Sequence, residues 1–148
     1  MWNKSKIIAL GSDHAGFELK SYIIKMLENE GFVFKDFGTY SDSSVDYPDF
    51  AHKVGKAVND GIYERGIVMC GSGNGVNMTV NKYAGVRGAL CWNDEQAQLT
   101  RKHNDANVMA LPARFIDFQE ALKAVKSFLN TGFEGGRHLQ RTEKIPIS

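Results

Sequence analysis

Cysteine is scarce in this 148-residue chain: Cys70 and Cys91 are the only two, too few for the disulfide framework of a small secreted scaffold. No uninterrupted apolar run exceeds four residues, well short of a signal-peptide core or a membrane span. Met1–Lys6 leads only into Ile7–Leu10, so a cytoplasmic protein with no membrane partner is expected. An excess of one charge is missing too. Eighteen Lys and Arg against 17 Asp and Glu leave a net +1, and no broad field holds such a molecule on nucleic acid. Any anion must be bound by a local cluster. Neither a His-x-x-x-His nor a Cys-x-x-Cys pair occurs, so no metal is expected, although Asp13, His14, Cys70 and His103 make a conceivable ligand set. Internal repeats, low-complexity tracts and linkers are absent as well, and residues 1–148 read as a single domain.

What is present fits a folded protein of ordinary composition, with 43% hydrophobic and 24% charged residues. A chain of this length buries roughly 68–70% of its unfolded surface, enough for one complete core. Glycine is in excess, at fifteen residues, which raises the question of where the backbone must turn tightly or approach a ligand.

Short apolar runs alternate with amphipathic segments. Lys6–Gly11 reads as a first strand buried on both faces, followed by a helix carrying Leu19, Ile23, Met26 and Leu27 and stopped at Gly31. Phe32–Phe37 reads as a second strand. Asp46 then caps a helix with an early Pro48, with Phe50, Val54 and Ala57 on one face and Gly61 at its end. Gly66–Cys70 is the third strand, with a helix running from the glycines behind it to Tyr83. Val86–Trp92 is the fourth strand, before a polar helix over Asn93–His103. Asn107–Leu111 is the fifth. Asp117 caps a helix bearing Phe118, Leu122, Val125 and Leu129, which Gly132 closes, and a last helical piece starts near Gly136. Alternating strands and helices without tight hairpin signals predict parallel crossovers and a three-layer α/β/α sandwich. Ligands of such sheets sit beyond the carboxyl ends of the strands. That rule singles out Ser12-Asp13-His14, Cys70–Gly75, Asn93-Asp94 and Pro112–Arg114.

Two familiar phosphate loops fail. Gly11 to Gly16 has P-loop glycine spacing, but Phe17-Glu18 stands where Lys and Ser or Thr are required. Gly71-x-Gly73-x-Gly75 approaches a dinucleotide fingerprint, yet Val76 occupies the third glycine position and the loop follows the third strand. Three glycines in five residues still exceed what one turn needs, and a nest of main-chain N–H groups for an anion is favoured. Cys70 directly precedes this nest, where donors stabilise a thiolate. Cys91 has no such neighbours and reads as core. His14, His103 and His138 fall in polar clusters, whereas His52 lies on a solvated helix face. Arg137 and Arg141, four apart behind Gly135-Gly136, would share a helix face. Spacing alone leaves a phosphate handle and a solvated basic end equally open.

Taken together, six segments resemble the ribose-5-phosphate isomerase B family, which includes galactose-6-phosphate isomerase subunits. They are Gly11–Phe17, Asp46-Tyr47-Pro48, Cys70–Gly75, Asn81-Lys82, His103–Asn107 and Glu134–Arg141, and they follow the family's order over nearly the whole chain. The resemblance implies a five-stranded parallel Rossmann-like sheet. It also implies cofactor-free and metal-free interconversion of ribose 5-phosphate and ribulose 5-phosphate by a homodimer or dimer of dimers, with sites at the dimer interface. Carried over, Cys70 is the base, His103 the ring-opening acid and Ser72 a proton carrier between O1 and O2. Asp13, His14, Tyr47, Gly71, Gly73, Asn74, Gly75 and Asn104 line the sugar site, and Arg114, Arg137 and Arg141 take the phosphate. Some members replace the cysteine by a glutamate just after the glycine loop; that position is Val76 here. Two other readings stay open: an isomerase of six-carbon allose or galactose 6-phosphate, and a non-catalytic sugar-phosphate or nucleotide binding module. Binding alone requires neither Cys70 nor His103, which argues against the module.

Overall fold

The computed structural model describes residues 1–147. In chain order its elements are β1 (Ile7–Ser12), α1 (Phe17–Glu28), β2 (Val33–Asp36), α2 (Tyr47–Asn59), β3 (Gly66–Cys70), α3 (Asn74–Val80), β4 (Gly88–Leu90), α4 (Asp94–Asn104), β5 (Val108–Pro112), α5 (Phe118–Asn130) and α6 (Arg137–Thr142). The five strands form one parallel sheet in the order β2-β1-β3-β5-β4. This is the expected three-layer α/β/α sandwich with a Rossmann-like sheet. Among the described residues, no helix is long and apolar enough to cross a membrane.

The period of two along each strand divides the core. Ile8 and Leu10 of β1, Ile67 and Met69 of β3, and Met109 and Leu111 of β5 face one side, where Leu19, Ile23 and Leu27 of α1 and Ala121, Ala124, Val125 and Phe128 of α5 bury against them. Their alternates, Ala9, Val68, Cys70, Val108 and Ala110, face α2 and α3 through Val54, Val58, Val76 and Val80. The second face is built from smaller side chains, so α2 and α3 lie close to the ends of β1 and β3. β1 and β3 are neighbours whose chains leave toward opposite faces, which creates the crevice where such sheets bind ligands.

Element boundaries differ from expectation for local reasons. β1 starts at Ile7 and ends at Ser12. β2 and β4 pair on one edge only and are short, so Phe32, Phe37, Val86 and Trp92 lie outside them. α3 stops at Val80 rather than Tyr83 because the Asn81 side chain turns away to Gly88, donating to its carbonyl at 3.1 Å and accepting from its N–H at 2.8 Å. α5 ends at Asn130; Thr131 is already extended (φ −97°, ψ 129°), so Gly132 is not its terminator. Met26 is exposed, Phe50 is half-buried, and the α1 face contains instead a fully covered Lys20.

Lys20 is 1% exposed. Its Nζ donates to Asp36 Oδ1 at 2.6 Å and to the Thr39 carbonyl at 2.5 Å, and it lies 5.3 Å from the Tyr40 ring centroid. It ties α1 to the segment between β2 and α2. At the chain's beginning, Trp2 is buried and its main-chain N–H donates to Asn130 Oδ1 at 2.8 Å, joining the N-terminus to the end of α5.

Removing one partner of a buried ion pair strands the other, at about 3–5 kcal/mol. Asp36 keeps some access to water, so K20M is expected near the lower end of that range, read as a shifted urea midpoint. A loss below about 1 kcal/mol would show that Lys20 anchors nothing.

Candidate active site

The crevice is built from the residues that leave β1, β3 and β5. At the end of β1, Asp13 is buried and its Oδ1 accepts the Gly16 N–H at 3.0 Å. His14 follows, and its Nδ1 accepts the Val45 N–H at 3.2 Å. A neutral His14 therefore carries its proton on Nε2, making that nitrogen a donor. Val45 lies in the segment between β2 and α2, six residues beyond the Thr39 carbonyl that Lys20 binds.

Cys70 is the last residue of β3 and 5% exposed. One side of it packs in the apolar cluster of α2 and α3, and its Sγ accepts the Gly73 N–H at 3.2 Å. Ser72 Oγ accepts the Asn74 N–H at 3.2 Å. Two amides of the glycine loop are thus committed within the loop, one of them to sulfur. Gly73 has φ +77°, a left-handed conformation that disfavours a side chain. Gly75 meets a different demand: a Cβ there would stand 2.4 Å from Tyr47 Cε1. Tyr47, the first residue of α2, lies directly over the loop.

The chain after β5 tracks the chain after β3. Ala113 N–H donates to the Cys70 carbonyl at 2.9 Å and Arg114 N–H to the Gly71 carbonyl at 3.0 Å. The exposed Arg114 side chain consequently crosses Gly71, with its Nη1 3.2 Å from where a Cβ would be.

A cleft of about 470 Å³ opens here. Asp13, His14, Tyr47, Cys70, Gly71, Ser72, Gly75 and Arg114 line it, each a residue singled out from the sequence. Gly73 and Asn74 belong to the same loop without lining the cleft. Ala15 and Phe115 line it unforeseen; Phe115 is exposed and its ring lies 5.7 Å from that of Trp92. Apolar side chains without periodicity carry no signal of such a role.

His103, Asn104, Arg137 and Arg141 do not line this cleft. His103 and Asn104 end α4, and the two arginines lie on α6. The conceivable ligand set of Asp13, His14, Cys70 and His103 is accordingly not assembled within one chain. His103 has different company: its ring stacks on that of His138, with centroids 4.4 Å apart and planes 13° from parallel. Glu134 Oε1 lies 3.9 Å from His103 Nε2 and 3.6 Å from His138 Nε2. Burial, then the neighbouring His103 and Arg137 charges, hold His138 below the usual histidine range. His52 is exposed, its Nδ1 2.8 Å from the Tyr83 hydroxyl. Cys91 is fully buried, and burial pushes its thiol up to about 11.

The chain as a whole is similar to known proteins. Residues 8–145 match the model of a family described as Ribose/Galactose Isomerase. Ribose-5-phosphate isomerase B of Escherichia coli is 43% identical over 140 residues, 95% of this chain and 94% of that protein. The structure of ribose-5-phosphate isomerase B from Clostridium thermocellum superposes with a TM-score of 0.92 at 46% identity, covering 94% of each chain. That of the Mycoplasma genitalium enzyme with bound ribulose 5-phosphate gives 0.91 at 42% identity, covering 97% of this chain and 95% of that one.

The two thiols differ enough to be separated chemically. Iodoacetamide at pH 8 is expected to modify one cysteine of the native protein, mapping by mass spectrometry to Cys70, and a second only after denaturation. Modification of Cys91 first would contradict the placement of both sulfurs.

Proposed function

The chain belongs to the ribose/galactose isomerase family, and on that footing we propose that it interconverts ribose 5-phosphate and ribulose 5-phosphate through an enediolate, with Cys70 as the base. The observation that carries this reading is the Cys70 sulfur lining the cleft beside Asp13, His14 and Arg114, with the Gly73 N–H aimed at it. A donor so placed stabilises negative charge on sulfur, and the thiolate is the form that removes a carbon-bound proton. Ribulose 5-phosphate in the Mycoplasma genitalium enzyme supports the five-carbon substrate.

The reaction begins with ring opening. The C1–O4 bond of the furanose breaks as O4 takes a proton from His103 and O1 gives one up to Asp13, the carboxylate lining the cleft. Cys70 then takes the proton from C2 and returns it to C1. Ser72 carries the hydroxyl proton between O1 and O2. Main-chain donors of the loop face the oxygen on which charge develops, and each well-aimed one is worth about 2.7–4 kcal/mol. His14, a donor at Nε2, and Arg114 draw the phosphate, while Tyr47 and the Gly71–Gly75 loop close over the sugar. No metal or cofactor takes part.

His103, Asn104, Arg137 and Arg141 reach this cleft from a second copy of the chain, in a homodimer or dimer of dimers. Two features support that arrangement: the four residues stand away from Cys70 within one chain, and the aromatic pair Trp92–Phe115 is exposed beside the cleft. One sheet runs through the chain, so residues 1–148 are read as a single isomerase domain. Two free, buried cysteines suit a reducing, cytoplasmic location.

C70A is expected to lower kcat roughly 10³-fold while leaving the Kd for ribose 5-phosphate within about threefold. Equal losses in binding and turnover would remove Cys70 from the base role. R137A deletes a charge-assisted contact worth about 1.5–3 kcal/mol and is expected to raise KM for ribose 5-phosphate ten- to hundredfold. An unchanged preference for ribose 5-phosphate over free ribose would remove Arg137 from the phosphate clamp.

A further inference from the structure

The cluster at the end of α4 contains more than the ring-opening acid. Glu134 is fixed beside His103 by its own backbone, since its N–H donates to the Lys102 carbonyl at 3.1 Å. Gly135 and Gly136, both at positive φ, then turn the chain so that His138 returns onto the His103 ring. Three donor atoms within 4.8 Å of one another suggest a cation site. Two imidazoles only 13° from parallel argue against one, because their Nε2 lone pairs run side by side and do not converge. What they share is a single carboxylate oxygen.

We infer that Glu134 is a positioning residue for His103: its carboxylate, set against the Nε2 edges of two stacked rings, fixes the ring that delivers the proton in sugar opening. This rests on His103 being that acid. The contacts of 3.6 and 3.9 Å are longer than hydrogen bonds, as is common before substrate closes such a site. Besides Glu134, the pair is faced by Arg137 and Arg141 on α6 and adjoined by Lys102 on α4. Burial, then the His103 and Arg137 charges, disfavour a charge on His138 against the pull of Glu134, and His138 is the surface against which His103 stacks.

The two substrates separate a ring-opening role from every other one. Ribose 5-phosphate is a furanose closed through O4. Ribulose 5-phosphate would need O5 to close, and O5 carries the phosphate, so the ketose stays open. Exchange of its C1 proton with solvent deuterium therefore requires the base and the phosphate clamp and no ring-opening acid. E134Q is expected to lower kcat/KM for ribose 5-phosphate ten- to hundredfold while leaving the exchange rate for ribulose 5-phosphate, followed by NMR, within twofold of wild type. E134D is expected to recover most of the loss. H103A, measured in parallel, is expected to show the same split more strongly. Unchanged turnover in E134Q, or parallel loss of turnover and exchange, with the H103A split intact, overturns the role of Glu134 alone. Parallel loss in H103A overturns the ring-opening assignment and the inference that rests on it.

Discussion

The hydrogen bond from the Gly73 amide to the Cys70 sulfur is the point from which the rest of the molecule takes its meaning. It requires Cys70 to be the final residue of a strand, so that its side chain clears the sheet. It requires Gly73 to be left-handed, so that the loop doubles back over the sulfur. It also requires a helix beginning immediately afterwards to consume the remaining turn. Parallel pairing of β3 with β1 on one side and β5 on the other holds that strand end at a fixed height. The chains leaving those two neighbours supply the remaining walls. The cleft is therefore a consequence of strand order, and the thiol is its floor.

Much of this was readable before any coordinates. The glycine loop announces itself because a left-handed residue and a close approach by Tyr47 each exclude side chains at particular positions. Asp13, His14 and Arg114 were readable because the carboxyl ends of parallel strands are where ligands bind. Lys20 was hidden, since a lysine on a helix is ordinarily solvated and its partners Asp36 and Thr39 follow a different strand. The stacking of His103 on His138 was hidden for a similar reason. Thirty-four residues separate them, and only the return of the chain through Gly135-Gly136 brings the rings together. The edge strands are shorter than their apolar runs because the runs outlast the ladder: beyond β2 and β4 a single bond within each run continues it, from the Phe37 N–H to the Leu10 carbonyl and from the Cys91 N–H to the Ala110 carbonyl.

The two faces of the sheet serve different ends. The face toward α1, α4 and α5 has the large side chains, and it contributes most of the buried hydrocarbon. The face toward α2 and α3 is lined by alanine, valine and glycine, and its thinness lets α2 come near enough for Tyr47 to cover the loop.

The stitch between Trp2 and Asn130 bears on how the molecule is made. Those residues lie 128 positions apart, so the contact cannot form until α5 has emerged from the ribosome. During synthesis β1 has β2 and then β3 to pair with, while the Trp2 N–H ahead of it waits for Asn130. The Trp2–Asn130 contact therefore waits on α5, and a chain truncated before α5 would leave the Trp2 N–H without that partner.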